Sequence, residues 1–153
     1  MAKGGKGMKK TILIILLASM VLGSCVIMPE ADVPEFSSLD QAWYWIRENI
    51  TYTLDMEAHG KEDYWQYPEE TARFRTGDCE DICFLFQDIA LKQFGIDVQA
   101  AWVEWDTEGG RIGHMHPKIN GKYYMDSFSW KKGFSEEFTL DYSLVLTIIR
   151  LNR

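Results

Sequence analysis

The chain has 153 residues, 46% of them hydrophobic and 25% charged, with a formal net charge of −7. That length holds one domain with a sizeable apolar core and excludes a second domain of ordinary size within these residues. The acidic balance excludes binding driven by attraction to phosphates, so no nucleic-acid partner is expected.

Met8-Lys9-Lys10 leads into an apolar run from Ile12 to Leu22, shorter than the ~18 residues of a spanning helix, and this reads as an export signal. Its start stays open between Met1 and Met8. Leu22-Gly23-Ser24-Cys25 resembles the lipobox of bacterial lipoproteins, in which the cysteine is lipidated and becomes the N-terminus after cleavage. Residues 1–24 are thus expected to be a lipoprotein signal peptide, Cys25 the lipidated residue, and 25–37, with prolines at 29 and 34, a tether. The expected location is a bacterial cell envelope, lipid-anchored on the extracytoplasmic side of a membrane. Removing residues 1–24 takes away four lysines and no acid, which moves the net charge from −7 to −11.

The domain begins at Ser38. Ser38 with Gln41 forms a helix-start pair, and Leu39, Ala42, Trp43, Ile46 and Ile50 repeat as one apolar stripe. Ile50–Asp55 reads as a short extended run. Met56–Tyr64 is charged and aperiodic and reads as a loop, with His59 in solvent. Pro68-Glu69-Glu70 then opens a short helix, with proline in the first turn and acids beside the positive end of the dipole.

That helix leads into Arg75-Thr76-Gly77-Asp78-Cys79-Glu80-Asp81. Gly77 allows a tight turn, Asp78 is a helix N-cap with Asp81 reaching back, and Ile82, Cys83, Phe86, Ile89, Ala90 and Phe94 form one buried stripe that Gly95 ends. Cys79 falls at the first helical position or the cap. Unpaired backbone N–H groups there favour thiolate, while Glu80 and Asp81 oppose it, so a cationic partner such as a histidine is needed for full activation. Cys83, one turn inward, fits a small buried hydrophobe. The two thiols sit four apart on one helix, a spacing that does not favour a disulfide, and no second cysteine or histidine pair is placed for zinc. No metal and no cofactor are expected. An exported chain that keeps an unpaired thiol usually has a use for it.

Past Gly95, Val98–Trp105 reads as a strand buried on both faces, Thr107–Gly110 as a turn, and Arg111–Ile119 with Lys122–Ser127 as a hairpin about Asn120-Gly121. A plain two-residue loop pairs Ile119 with Lys122 and mixes polar with apolar on both faces. A three-residue loop with Gly121 in a bulge pairs His116 with Tyr124 and His114 with Asp126, and the apolar pattern selects this register. A carboxylate on one ring nitrogen raises the basicity of the other, which a cysteine nucleophile needs from its base. Leu140–Leu151 closes the chain as an apolar helix or strand.

Trp65-x-x-Pro68-Glu69-Glu70-Thr71 before Gly77-Asp78-Cys79-Glu80-Asp81, then Gly113-His114 with Pro117, then Asn120-Gly121-Lys122-Tyr123-Tyr124-x-Asp126, resembles the transglutaminase-like superfamily of papain-like thiol enzymes. The resemblance runs from about Trp43 to Asp126. It implies Cys79 as nucleophile, His114 as base and acid, and Asp126 as its orienter. The oxyanion would rest on the Cys79 N–H plus a donor from Gln66 or Trp65. His116 departs from the aromatic that the family more often carries two residues after the histidine, and it is a substitute base on the same strand face. The segment between Gly121 and Asp126 is one residue short.

The expected fold is α+β: residues 38–153 as a transglutaminase-like domain, with a helical N-terminal half whose nucleophile helix packs on an antiparallel sheet. The expected function is a membrane-tethered cysteine peptidase or acyltransferase, acting on a peptide or protein amide through a Cys-His-Asp triad and a thioester. The alternative is an inactive lipoprotein that binds a peptide or protein in the same cleft. Substrate identity, hydrolysis versus transfer, and oligomeric state are not legible here.

Overall fold

The computed structural model describes residues 32–124 and 131–152. Helix α1 spans Leu39–Asn49, with Ser38 at its cap accepting a hydrogen bond from the Gln41 N–H. Strand β1, Thr51–Tyr52, follows and pairs in parallel with β2, Thr76–Gly77, so that Tyr52 stands beside Gly77. Between them lie the one-turn helix α2, Asp55–His59, and helix α3, Pro68–Phe74. Helix α4, Cys79–Phe94, is the longest element. Strands β3, Gln99–Thr107, β4, Gly110–Ile119, β5, Lys122–Tyr123, and β6, Ser135–Leu140, then make one antiparallel sheet in the order β5-β4-β3-β6. Helix α5, Tyr142–Leu151, closes the chain. The class is α+β, and no helix among the described residues is long and apolar enough to cross a membrane.

Helix α4 departs from the one-sided stripe its spacing predicts, because apolar partners meet it on both sides. Ala42, Trp43, Ile46 and Ile50 cover it from α1 through Leu85, Phe86 and Ile89. On the other side Cys83 and Phe84 pack with Ala100, Met115 and Leu140 of the sheet and with Val145 and Ile149 of α5. Of the four buried polar side chains on this helix, two are thereby fully sealed in. Gln87 donates through Nε2 to the carbonyls of Val98 at 2.7 Å and Leu140 at 3.1 Å, which ties the helix to the residue before β3 and to the end of β6. The other is Asp81.

Two expectations fail locally. Asp55–His59 is a helical turn closed by left-handed Gly60, and His59 is half-buried with its ring 4.4 Å from that of Tyr64. A single turn shows no 3.6-residue period, so its charged composition reads as loop. At the hairpin, Lys118 pairs with Tyr123 and Ile119 with Lys122, the two-residue register rather than the bulged one. Asn120 (φ +50°) and Gly121 (φ +76°) are both left-handed, the combination a type I′ turn requires. Among the described residues only two pairs follow the turn, which leaves its geometry to decide, and the polar side chain that looked misplaced, His116, finds an acceptor of its own in the Tyr124 carbonyl.

Candidate active site

Gly77 sets the approach to the site by its size. A Cβ there would lie 2.7 Å from Asp81 Cβ, so only glycine lets β2 run this close to the first turn of α4. Cys79 follows as the first residue of α4, half-buried. Asp78 occupies the cap position without a side-chain capping bond, and Asp81 does not reach back to it. Asp81 accepts from Gln66 instead, through the backbone N–H at 2.8 Å and Nε2 at 2.6 Å. The reason is burial: Asp81 is fully sealed and Gln66 is the donor beside it.

This settles the geometry of the two weak oxyanion candidates. Gln66 is 1% exposed, and its Nε2 is used by Asp81 and by the Thr76 carbonyl. Trp65 packs on Phe84 with ring centroids 5.1 Å apart, and neither residue lines the cavity that holds the thiol and the histidines. A hydroxyl that does stand beside the sulfur is that of Tyr52, which interacts with Cys79 and lines the same cavity. Parallel pairing of two residues in β1 with two in β2 places it there, a contact with no sequence period to announce it.

Cys79, His114 and His116 line one cavity of about 270 Å³, walled by Trp43, Ile82, Met115 and Pro117 and rimmed by Arg47 and Tyr52. The two histidines share a face of β4, with rings 5.9 Å apart. His116 is 5% exposed, lies edge-on to Trp43, and has Nε2 2.9 Å from the Tyr124 carbonyl. A carbonyl only accepts, so Nε2 of His116 carries the proton. His114 is half-buried, the more accessible of the pair, and lies near the edge of Trp105. Asp126 and Cys25, predicted as orienter and lipid site, lie outside the described residues.

The charges around the sulfur are mostly negative. The thiol donates to Glu80 Oε2 at 3.0 Å. Burial first, and then the Glu80 carboxylate, push the thiol well above its ordinary range, against the Met115 backbone N–H that donates to sulfur and pulls the other way. Burial, Glu80 and Asp78 thus all favour the thiol over the thiolate. Asp78 is raised to about 9, by burial and then by Glu80. Asp81 rises to about 7 through burial, although Gln66 pulls it down. Tyr52 is raised to about 12 by burial and by Cys79, so its hydroxyl stays a donor at neutral pH.

Asp55 and Asp63 join this acidic group. Asp55, Asp63 and Glu80 each offer a carboxylate oxygen within 4.8 Å of the others, as do Asp55, Asp78 and Asp81. Oxygen sets of this kind are the donors a hard divalent cation takes. Protons on Asp78 and Asp81 are the other means of holding so many buried carboxyls together.

No family model matches the chain, and no curated protein matches it. The site therefore stands on its own geometry: a thiol at a helix start, an accessible imidazole and a hydroxyl donor around one cavity. Tyr52, Arg47 and the Met115 N–H are its additions to the residues legible in the sequence.

Proposed function

We propose that this is a thiol enzyme of the transglutaminase-like kind, tethered to a membrane by lipid at Cys25 and acting on peptide-type amide bonds. The observation that carries the reading is that Cys79, at the first position of a buried helix, and His114, on the facing strand, open into the same cavity. In the proposed reaction His114 takes the thiol proton and sulfur attacks the amide carbonyl carbon. The carbonyl oxygen becomes an oxyanion held by the Cys79 N–H and the Tyr52 hydroxyl. Collapse breaks the C–N bond, His114 returns the proton to the leaving amine, and a thioester remains on Cys79. Water releases it as an acid, or an incoming amine as a new amide. Asp126 is the proposed orienter of His114.

A second reading has its own support. The thiol proton points to Glu80, and the surrounding acids hold the sulfur in its unreactive form, which suits a cleft that binds a peptide or protein without cleaving it. Alkylation separates the two. For an enzyme, iodoacetamide labels Cys79 much faster than the fully buried Cys83 at neutral pH, and His114→Ala slows that labelling. Equal, slow labelling of both thiols favours the binding module.

A further inference from the structure

Two cavities share Met115 as a wall, and one of them holds the candidate nucleophile Cys79. The cavity of about 270 Å³ that holds Cys79 carries one guanidinium, Arg47, and no carboxylate among its lining residues. The other, of about 330 Å³, is lined by Glu62, Asp63 and Glu80 against aromatic walls, and has no cation among its lining residues. The two sides of Met115 therefore differ in charge: the cavity with the thiol is lined by a guanidinium and the histidines, the other by three acids.

Arg47 is distinguished by its place: it is the arginine that lines the cavity of Cys79. In a chain with 23 acidic and 16 basic residues, a surface arginine has many carboxylates to choose from. Arg111 takes Glu104 and Asp106, while Arg73 and Arg75 lie over the rings of Phe74 and Trp45. Arg47 has no carboxylate or ring partner among the described residues, although it sits in the last turn of α1, a rigid element anchored by Trp43 and Ile46. A planar fork with its donors unused, beside an apolar wall formed by Trp43 and Ile82, matches a carboxylate carried on a small apolar group.

We propose that the amide substrate bears a free carboxylate near its scissile carbonyl, received by Arg47, which lines the same cavity as Cys79. Glu62, Asp63 and Glu80 repel the same group from the opposite side and so fix the direction in which the substrate lies. This rests on the thiol-enzyme reading only for which bond is cut; recognition of the carboxylate is a binding property in its own right.

The test uses the full chain with Cys79→Ala, which cannot acylate, and pairs of short peptides that differ only in a free or amidated C-terminus. Binding is read from tryptophan fluorescence. The free acid is expected to bind about tenfold more tightly, the order of one charge-assisted pair, with the preference shrinking as salt rises. Arg47→Glu is expected to abolish or invert the preference, and Arg47→Lys to keep part of it. Equal affinity for acid and amide, an unchanged preference in Arg47→Glu, or no binding of any peptide overturns the proposal. The same peptides on the chain with Cys79 intact separate the two readings. A thioester formed without carboxylate preference sinks this proposal and leaves the enzyme, whereas carboxylate-selective binding with no thioester does the reverse.

Discussion

Replacing Glu80 by glutamine is the most informative single perturbation of the site. Glu80 Oε2 lies 3.0 Å from Cys79 Sγ, is mostly buried, and is the leading electrostatic cause of the raised thiol. At that separation, an effective dielectric of about 20 puts the repulsion between carboxylate and thiolate at roughly 5 kcal/mol. Solvent reaching the half-buried sulfur reduces it, but even a third, about 1.7 kcal/mol, is more than a tenfold gain in thiolate at fixed pH. A less basic thiolate is also a weaker nucleophile, with a Brønsted slope of about 0.5, so the net gain in alkylation is about fivefold. The assay is iodoacetamide labelling of Glu80→Gln and wild type at pH 7 in chelator-containing buffer, with Cys79 resolved by peptide mass. The wild-type rate should still be climbing at pH 9, and the variant should reach its plateau earlier. An unchanged or slower rate would refute the claim that Glu80 holds the sulfur as thiol.

Three further outcomes follow from the same structure. Tyr52→Phe removes the hydroxyl beside the sulfur and is expected to lower acylation about tenfold, less than the hundredfold typical of a fully buried oxyanion donor because Tyr52 is largely exposed; single-turnover kinetics checks it. Asp78, raised from 3.8 to about 9, binds its proton more tightly folded than unfolded, so its contribution is complete below about pH 4 and is lost as pH rises towards 9. Asp78→Asn should therefore melt at a progressively higher temperature than wild type between pH 5 and pH 8.5, and a pH-independent difference contradicts the assignment. Gly77→Ala forces a Cβ to within 2.7 Å of Asp81 Cβ, an overpacking of about 1–3 kcal/mol that should show as a lower urea midpoint.

Much of the frame was readable because short-range rules and tertiary packing agree there. Ser38 caps α1, Pro68 opens α3, and the glycine after Phe94 ends α4 with φ +65°. Cys79 at the first helical position followed from the same logic. What resisted reading depends on contacts between segments far apart in sequence. Asp81 looked like a capping acid by its spacing from Asp78, yet in the buried interior it takes the donors of Gln66, fifteen residues away. That one pairing takes Asp81 away from the cap and commits the Gln66 side-chain and backbone donors to it. Tyr52 enters the site through a two-residue parallel pairing, too short to leave a pattern. At the hairpin, alternation of apolar residues was weighed above turn chemistry, and with two pairs of the ladder among the described residues the left-handed Asn120-Gly121 was the stronger constraint.

The proposed chemistry requires a covalent bond between the substrate acyl group and one particular sulfur. Peptides from an amide library, mixed with the chain and quenched in acid within a turnover, should leave an acyl adduct on Cys79 by mass mapping, absent in Cys79→Ala and diminished in His114→Ala. Peptides that bind in the cleft yet leave Cys79 unmodified at every quench time would contradict the account and leave a recognition domain in its place.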